Sequence, residues 1–448
     1  MKVLLIQPSG EMKISIGCKR DYSEVRSPLP PLGLLYLAGH LKKNHNVKVL
    51  DMSLPDQGLS KLYSFEPDVV GIPAVIGLWP TVVNIFNLVK WATPSIYTVV
   101  GGPNATQYPE ETLSHENIDF LIAGLGQFPM MELCNQLEKG QSGEGIENCY
   151  MQGKKYSSFP ATYPHKLGEF EFPNRESTPF KQYSVGFCPE NPTTTMVTSM
   201  GCTFKCAFCN CHDHYLEIRS AERVVDEIEA IYKMDIRSIL FEDELFTLIP
   251  QRVHQICEGL MERGIKIHWS VKSRVDCVQL WMLELMRKAG CFNIHFGIES
   301  GNNSTLKRMK KGYEIDRVMG AVRMVKDAGL SCTANFMLAY PGEDEKDIRN
   351  TIAFAKSLDL DIAQFSITLD LPRTELFNEA IASGRRHGDP WSEFTRNPER
   401  TDLVEIFSSD LPHEKLFELL DEAHSNTRTL YNVGVENGSR RSLYHGNV

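Results

Sequence analysis

The chain has 448 residues, of which 42% are hydrophobic and 23% charged, with a formal net charge of −10. Its length predicts two or three domains, and its acidity excludes the basic field typical of nucleic-acid binders, so we expect no nucleic-acid partner. The longest apolar runs are shorter than the roughly 20 residues of a spanning helix, so we expect no membrane span and a cytoplasmic protein.

Residues 1–140 alternate strand-like and helix-like segments. The opening run KVLLIQPS lacks the basic region and small-residue cleavage site of a signal peptide, so it is predicted to be a buried strand. Further strands are predicted, each after a helix-length interval, at VKVLDMS, DVVGIPAVI, IYTVVGGPN and IDFLIAGLG. This alternation predicts a doubly wound parallel sheet in a Rossmann-like domain.

The carboxyl ends of these strands are rich in small and polar residues. Ligands of doubly wound sheets bind at this edge, and glycines there let a ligand approach the backbone closely. The candidate ligand-binding residues are Ser9, Asp51, Gly101, Gly102, Pro103, Gly124 and Gly126. The alternative is that the glycines are ordinary turn residues.

A linker is predicted at residues 141–190, where Gly, Ser, Pro and Lys are frequent and no period is sustained. Six strand–helix units follow in residues 191–385, which predicts a partial or full β/α barrel. Residues 386–448 are predicted to form a helical C-terminal region with a polar tail. Active-site residues of such barrels lie at the strand C-termini, which here carry Cys202, Asp243, Arg274, Glu299 and Gly342.

Three cysteines, Cys202, Cys206 and Cys209, form a C-x3-C-x2-C motif after the first barrel strand. Cysteines stay reduced in the cytoplasm, so a tight cluster is more typical of metal binding than of disulfides. Soft thiolates suit an iron–sulfur cube, and three ligands leave one iron open. Zinc is the alternative, with Cys211, His212 or His214 as a fourth ligand.

The motif and its barrel context resemble the radical S-adenosylmethionine (SAM) superfamily. In that family the open iron of a [4Fe–4S] cluster binds the amino and carboxylate groups of SAM, and the reduced cluster cleaves SAM to a 5′-deoxyadenosyl radical. The resemblance covers about residues 193–380 and implies SAM contacts from Phe208, Asp243, Ser270, Arg274, Glu299 and Gly342. Cys211 is then a surplus cysteine, because a fourth protein ligand would close the site to SAM.

The N-terminal domain resembles the cobalamin-binding subclass of this superfamily, through PPLGLLYLAGHL, Asp51 and GGPNAT. The chain departs from that pattern at Asn104 and Gln127, where histidine and an acid are frequent. It also lacks D-x-H-x-x-G, the motif whose histidine ligates cobalt from below. The resemblance therefore implies bound cobalamin without a lower imidazole ligand; the alternative is a sheet domain that binds no cofactor.

Taken together, these resemblances imply a cobalamin-dependent radical SAM methyltransferase that acts on an unactivated carbon of a small molecule, lipid or natural-product intermediate. They also imply a reductant such as flavodoxin or ferredoxin. Two alternatives remain open. One is a radical SAM enzyme with the same cofactors that catalyses cyclisation or ring rearrangement, and the other is a non-enzymatic sensor of cobalamin or iron.

Overall fold

The computed structural model describes residues 1–9, 28–159, 166–211, 216–400 and 409–425. Contacts divide the described chain into two compact units. The first unit comprises the described residues within 1–15, 30–182 and 388–405, and the second comprises the others. No helix within these described ranges is long and apolar enough to cross a membrane.

The regular elements alternate along most of the chain. The strands are β1 Lys2–Gln7, β2 Asn46–Asp51, β3 Val69–Pro73, β4 Tyr97–Gly101, β5 Phe120–Ile122, β6 Cys149–Met151, β7 Thr193–Met196, β8 Ser199–Met200, β9 Glu217–Ile218, β10 Ser238–Phe241, β11 His268–Ser273, β12 Cys291–Glu299, β13 Ser331–Leu338 and β14 Ile362–Ile367. The α-helices are α1 Leu32–Leu41, α2 Ser60–Phe65, α3 Trp79–Ala92, α4 Pro103–Gln107, α5 Pro109–Leu113, α6 Gln127–Glu138, α7 Ala221–Lys233, α8 Pro250–Glu262, α9 Leu280–Lys288, α10 Asn303–Arg308, α11 Ile315–Asp327, α12 Glu345–Ser357, α13 Glu375–Ala382, α14 Pro390–Arg396 and α15 His413–Ser425.

The first unit contains a six-stranded sheet in the order β2-β1-β3-β4-β5-β6. Its first five strands in this order are parallel, as predicted, and β6 is antiparallel to β5. Buried residues of β1, such as Val3 and Leu5, pack in one apolar cluster with residues of α1 and α6. The strand order reverses between β1 and β3, which is where ligands of such sheets bind.

The second unit contains six parallel strands in the order β14-β13-β12-β11-β10-β7, with helices in the connections. Within the described residues β7 and β14 do not pair with each other, so this is the predicted partial (β/α)6 barrel in its open form. Apolar and polar residues alternate along the strands. Trp269 of β11, for example, is buried against Phe241 and Phe246, with ring centroids 5.8 and 5.7 Å away.

Several barrel helices begin at residues that cap their free backbone N–H groups. Ser220 accepts a hydrogen bond from the Arg223 amide at α7, and Asp344 accepts one from the Asp347 amide at α12. Thr374 does the same for Phe377 at α13. Such caps fix where each helix starts, and therefore fix the length of the loop that leads from the strand to the helix.

Two of the predicted ranges are subdivided in the structure. The predicted linker 141–190 contains β6, which extends the first sheet because the edge of β5 is open to pairing. The predicted C-terminal region 386–448 is divided, since α14 belongs to the first unit and α15 to the second. Trp79 donates a 2.8 Å hydrogen bond to the Thr395 carbonyl and so holds α14 on the first unit. A short hairpin of β8 and β9 encloses the cysteine loop.

Candidate active site

The cysteine loop lies between β8 and β9 in the chain and contains the three motif cysteines. Cys206 is buried, and Cys202 and Cys209 are half-buried. The backbone of Ala207 anchors the loop, because its N–H donates to Met309 O at 3.1 Å and its carbonyl accepts from the Leu376 amide at 2.9 Å. His212 and His214, named above as possible zinc ligands, lie outside the described residues.

Cys211 contacts the motif through its backbone. Its amide N–H donates to Cys209 Sγ at 3.4 Å. Backbone N–H donors of this kind stabilise a negatively charged sulfur. The Cys211 thiol is hydrogen-bonded to Cys209 as well, and this contact together with burial raises the pKa of Cys211. Cys211 therefore contacts the motif through both its backbone and its side chain.

Arg274, which follows β11, is buried beside the cysteine loop. Its Nη1 lies 3.6 Å from Cys206 Sγ, and its Nε and Nη2 donate to the Asp276 carboxylate at 3.0 and 2.9 Å. Nη2 also donates to the Lys311 carbonyl. The guanidinium carbon lies 3.6 Å from the ring centroid of Phe204.

Asp243, after β10, is fully buried and holds the start of the cysteine loop. Its carboxylate accepts from the Thr198 amide at 2.6 Å, from the Thr198 hydroxyl at 2.5 Å and from the Ser199 hydroxyl at 2.6 Å. Burial raises the pKa of Asp243, while these hydrogen bonds and Arg252 oppose the shift. Its predicted SAM contact remains a prediction, and the structure adds this anchoring role.

Glu299 ends β12 in the left-handed region, with φ of 73°. Its Oε1 lies 3.4 Å from Lys311 Nζ, and both side chains are buried. Burial disfavours the Lys311 cation, but the charges of Glu299, Tyr313 and Cys206 outweigh it and hold the pKa of Lys311 above its usual range. A cation is thus maintained close to Cys206 and near the ring of Phe208, 5.7 Å from its centroid.

Gly342 lies in the loop after β13 with φ of 81°. A Cβ there would meet nothing closer than 3.8 Å, so backbone conformation rather than space favours glycine. Its neighbour Glu343 is buried and joins this loop to the segment after β12. Glu343 Oε1 accepts from Thr305 at 2.8 Å, and Oε2 accepts from the Tyr340 amide at 3.0 Å.

Along β11 to β14, polar side chains alternate with buried apolar ones. We call the polar set the polar face of the barrel sheet; it consists of Ser270, Lys272, Asn293, His295, Thr333, Asn335, Gln364 and Ser366. Within this face, the Asn293 side chain donates a hydrogen bond to Ser270 and accepts one from Thr333, both at 2.9 Å. Ser270, a predicted SAM contact, therefore has a partner within the sheet.

Two residues further along their strands, Lys272 and His295 lie side by side on the polar face. Lys272 donates to Glu242 Oε2 at 2.5 Å, and His295 is in register with Lys272. Burial lowers the pKa of His295, with Asn335 opposing the shift and Lys272 adding to it. Within the described residues His295 Nε2 is shielded from solvent and has no hydrogen-bond partner.

The predicted ligand residues of the first unit lie along the carboxyl edge of its sheet. Ser9 donates to the Met52 carbonyl at 2.7 Å, and Asp51 accepts from the Ser53 amide and hydroxyl at 3.0 and 2.6 Å. Across the sheet, the Gly124 amide donates to Thr106 at 2.9 Å. These bonds tie the end of β1 to the end of β2, and the end of β5 to the helix that follows β4.

The glycines of this edge differ in how much space the surrounding atoms leave for a side chain. Gly102 has φ of 89°, and a Cβ there would lie 3.0 Å from both N and O of Ala74, so packing against the end of β3 already demands glycine. Pro103 follows as the first residue of α4. A Cβ at Gly101 would meet Ile122 O at 3.4 Å, and one at Gly126 would meet Leu37 at 3.3 Å. Gly102 is therefore needed by the fold itself.

Asn104 and Gln127 are both buried at this edge, each at the start of the helix that follows its strand. In the described chain Asn104 Nδ2 and Gln127 Oε1 have no hydrogen-bond partner. Buried polar atoms normally have partners, so two such atoms on neighbouring strand ends indicate a place where a polar ligand binds.

Comparison with known proteins finds a family match for each of the two units. A model of the radical SAM superfamily matches residues 196–355, and a model of the B12 binding domain matches residues 22–133. An uncharacterized methyltransferase of Pyrococcus horikoshii is 31% identical over 406 residues, which are 88% of this chain and 86% of the relative. The chain belongs to the radical SAM superfamily and carries a B12-binding domain.

Further relatives of this radical SAM protein are named for different activities. An anaerobic magnesium-protoporphyrin IX monomethyl ester cyclase of Rubrivivax gelatinosus is 27% identical, over 85% of this chain and 70% of the relative. A structure of the radical SAM methyltransferase TsrM from Kitasatospora setae, with cobalamin and a [4Fe–4S] cluster bound, has a TM-score of 0.66 and 18% identity, covering 85% of this chain and 78% of that one. At this identity the likeness shows the fold.

The radical SAM cofactors are a [4Fe–4S] cluster, SAM and cobalamin. The donor set fits the cluster in its chemistry, because the three motif thiols lie in one loop and two of their sulfurs receive N–H donors, from Cys211 and Arg274. Within the described residues, no three His, Cys, Asp or Glu side chains are grouped so that they could hold a single metal ion. The first unit fits cobalamin, because the orphaned atoms of Asn104 and Gln127 suit the amide-rich periphery of a corrinoid.

Sequence reasoning missed four residues around the radical SAM site: Phe204, Lys311, Tyr313 and Glu343. Phe204 lies inside the cysteine motif, so its place could have been noticed. Lys311 and Tyr313 follow α10 and reach the site only because the chain returns after β12. No local spacing in the sequence indicates that return.

Proposed function

We propose that this enzyme is a cobalamin-dependent radical SAM methyltransferase that acts on an unactivated carbon of a polar small molecule. The observation that carries the proposal is the presence, in one chain, of the three-cysteine loop and the B12-binding domain. The 31% identical relative, named as a methyltransferase, supports methyl transfer as the reaction.

When bound, the cofactors supply a 5′-deoxyadenosyl radical from SAM and a methyl group carried by cobalamin. The residues of this chain hold and position them. Cys202, Cys206 and Cys209 provide the thiolates of the cluster, and Asp243 fixes the loop that presents them. As the family resemblance implies, Phe208, Asp243, Ser270, Glu299 and Gly342 are proposed contacts of SAM. Arg274 is also implied by the resemblance, but its hydrogen bonds favour a different role, which is argued below.

The polar face favours a polar substrate over a lipid chain. Asn335 and Ser366 are exposed on it, and Lys272 keeps 45% of its side chain accessible. An acyl chain laid there would remove water from these groups without offering hydrogen bonds, which is unfavourable. Hydroxyl or amino groups of a substrate would instead form hydrogen bonds with these accessible side chains.

A one-electron reductant such as flavodoxin or ferredoxin is proposed as partner, since the cluster must be reduced before SAM is cleaved. A cytoplasmic location is proposed as well. All eleven cysteines that the structure describes are free thiols, as is usual in a reducing compartment.

Cyclisation without methyl transfer is the second candidate, and the 27% identical cyclase favours it. Product counting separates the two. The reconstituted enzyme with cobalamin, SAM and dithionite should form both S-adenosylhomocysteine and 5′-deoxyadenosine if it transfers methyl groups. Formation of 5′-deoxyadenosine alone, in protein shown to hold cobalamin, would favour cyclisation. A Cys206→Ala protein is the control for cluster-independent SAM breakdown.

A further inference from the structure

We infer that Arg274 is a positioning residue that tunes the reduction potential of the cluster through Cys206, rather than a residue occupied mainly with SAM. The inference rests on the cluster being held by the three motif cysteines, and it does not depend on whether the reaction is methyl transfer or cyclisation.

The guanidinium already has protein partners for most of its hydrogen atoms. Of the five N–H donors of an arginine, one on Nε and both on Nη2 go to Asp276 and to the Lys311 carbonyl. One on Nη1 goes to Cys206 Sγ at 3.6 Å. A single donor on Nη1 is left, so Arg274 does not present the two-pronged fork that grips a carboxylate.

The position of the guanidinium is fixed from several sides. Phe204 stacks on one of its faces, 3.6 Å from ring centroid to Cζ, and the Tyr313 ring is 5.2 Å away. The Asp276 pair prevents the group from rotating, since two parallel hydrogen bonds define its plane. Arg274 is buried, so water cannot screen its charge from Cys206 as it would on the surface.

A fixed cation that donates to a ligand sulfur changes the cluster in a defined direction. Reduction adds one electron and therefore negative charge to the cluster and its thiolates. Hydrogen bonds to the sulfurs and nearby positive charge stabilise that reduced form, which raises the reduction potential. Lys311 also acts electrostatically on Cys206. However, Asp276 pairs with Arg274, and Glu299 pairs with Lys311. The hydrogen bond from Nη1 to Cys206, rather than a net positive charge, therefore carries the effect.

The test is an electron paramagnetic resonance redox titration of the reconstituted full-length enzyme without SAM. Arg274→Met removes both the charge and the donor, and we expect its midpoint potential to be lower than that of the wild type. Arg274→Lys keeps the positive charge but lacks the planar guanidinium with its paired donors. It should therefore lower the midpoint potential by a smaller amount. Arg287→Met, an exposed arginine on α9, is the matched control for charge loss and should leave the potential unchanged.

A midpoint potential equal to wild type in Arg274→Met, at full iron content, overturns the inference. If that variant also binds SAM more weakly, Arg274 is assigned to SAM instead. Should neither variant retain its cluster, wild-type protein labelled with ¹⁵N-arginine decides by pulsed electron paramagnetic resonance. We expect a ¹⁵N coupling to the reduced, SAM-free cluster, and its absence refutes the Arg274–Cys206 contact. Product counts, which test methyl transfer, are unaffected by this outcome.

Discussion

Thr305 donates a 2.8 Å hydrogen bond to Glu343, and this contact joins the segment after β12 to the loop after β13. Glu343 is buried, and it also accepts from the Tyr340 amide. Both segments carry predicted SAM residues, Glu299 and Gly342. One carboxylate thus fixes two neighbouring loops of the active-site edge.

Glu343→Ala is expected to destabilise the second unit by about 2–3 kcal/mol, because it leaves two buried donors without an acceptor. The measurement is the free energy of unfolding from urea denaturation of the apoprotein. Glu284→Ala, at an exposed position of α9, is the control and should stay within about 0.5 kcal/mol of wild type. Equal stability of the two variants would show that the Glu343 contacts contribute nothing.

The motif cysteines are expected to behave differently from Cys211. Cys202→Ala, Cys206→Ala and Cys209→Ala should each lower iron content and abolish SAM cleavage, since each removes a thiolate. Cys211→Ala should keep most of both, because the family resemblance makes Cys211 a surplus cysteine and the variant retains the backbone N–H bond to Cys209. Iron analysis and 5′-deoxyadenosine formation are the measurements. Loss of the cluster in Cys211→Ala, as complete as in the others, would mean that the cluster has a fourth cysteine ligand.

The sequence was sufficient for the parts of this site that lie at strand ends. Cys202 and Asp243 follow predicted strands and Glu299 ends one, and parallel strands bring their carboxyl ends to one edge. Asp243 shows the limit of that reasoning, because its place at the edge was predictable but its three hydrogen bonds to the preceding loop were not. Those bonds depend on how a loop folds, which strand periodicity does not encode.

Helix α14 shows a second limit. It follows the barrel in sequence yet packs on the first unit through Tyr108, whose hydroxyl donates to Asp389 at 2.9 Å, and through Trp79. These partners are separated by about 300 positions in the chain. Composition and hydrophobic period describe each helix by itself, so they cannot indicate which distant surface it covers.

The pKa of His295 predicts a dependence of stability on pH. Burial keeps this pKa below that of the unfolded chain, so the unfolded state binds a proton more readily as the pH falls through the unfolded value of 6.5. The wild type should therefore lose stability relative to His295→Gln as the pH is lowered below that value. Urea denaturation of both proteins between pH 7.5 and 5.5 measures the difference. A difference that does not change with pH would contradict the buried, neutral imidazole.

The orphaned amides of the first unit make a prediction about cobalamin. Asn104→Ala and Gln127→Ala should each weaken binding of hydroxocobalamin by up to about tenfold, as one hydrogen bond is lost. Gln141→Ala, at an exposed position, is the control and should bind normally. These variants are better probes than bulky substitutions at Gly102, which would clash with Ala74 and disturb the fold. Unaltered binding in both variants would place the corrinoid elsewhere.

The lower face of cobalt is the last test, and it depends on where the histidines of the first unit lie. His45 is at the amino end of the sheet, with Nδ1 3.3 Å from the Met1 amino group, opposite the carboxyl edge. His40 packs on Phe128 with ring centroids 4.7 Å apart, and His115 bonds the Thr395 carbonyl at 2.8 Å. Residues 6–17, which comprise the end of the first strand and the segment after it, contain no histidine, although residues 10–17 lie outside the described ranges.

Bound cob(II)alamin should therefore give an electron paramagnetic resonance spectrum whose cobalt lines lack superhyperfine splitting from a protein nitrogen. Free cob(II)alamin at a pH where its own base is bound is the positive control, since its lines are split into triplets by one nitrogen. The measurement is made on protein without SAM, so it is independent of turnover. Triplet splitting that disappears in His40→Gln or His115→Gln would identify a protein ligand and refute the assignment of an open lower face.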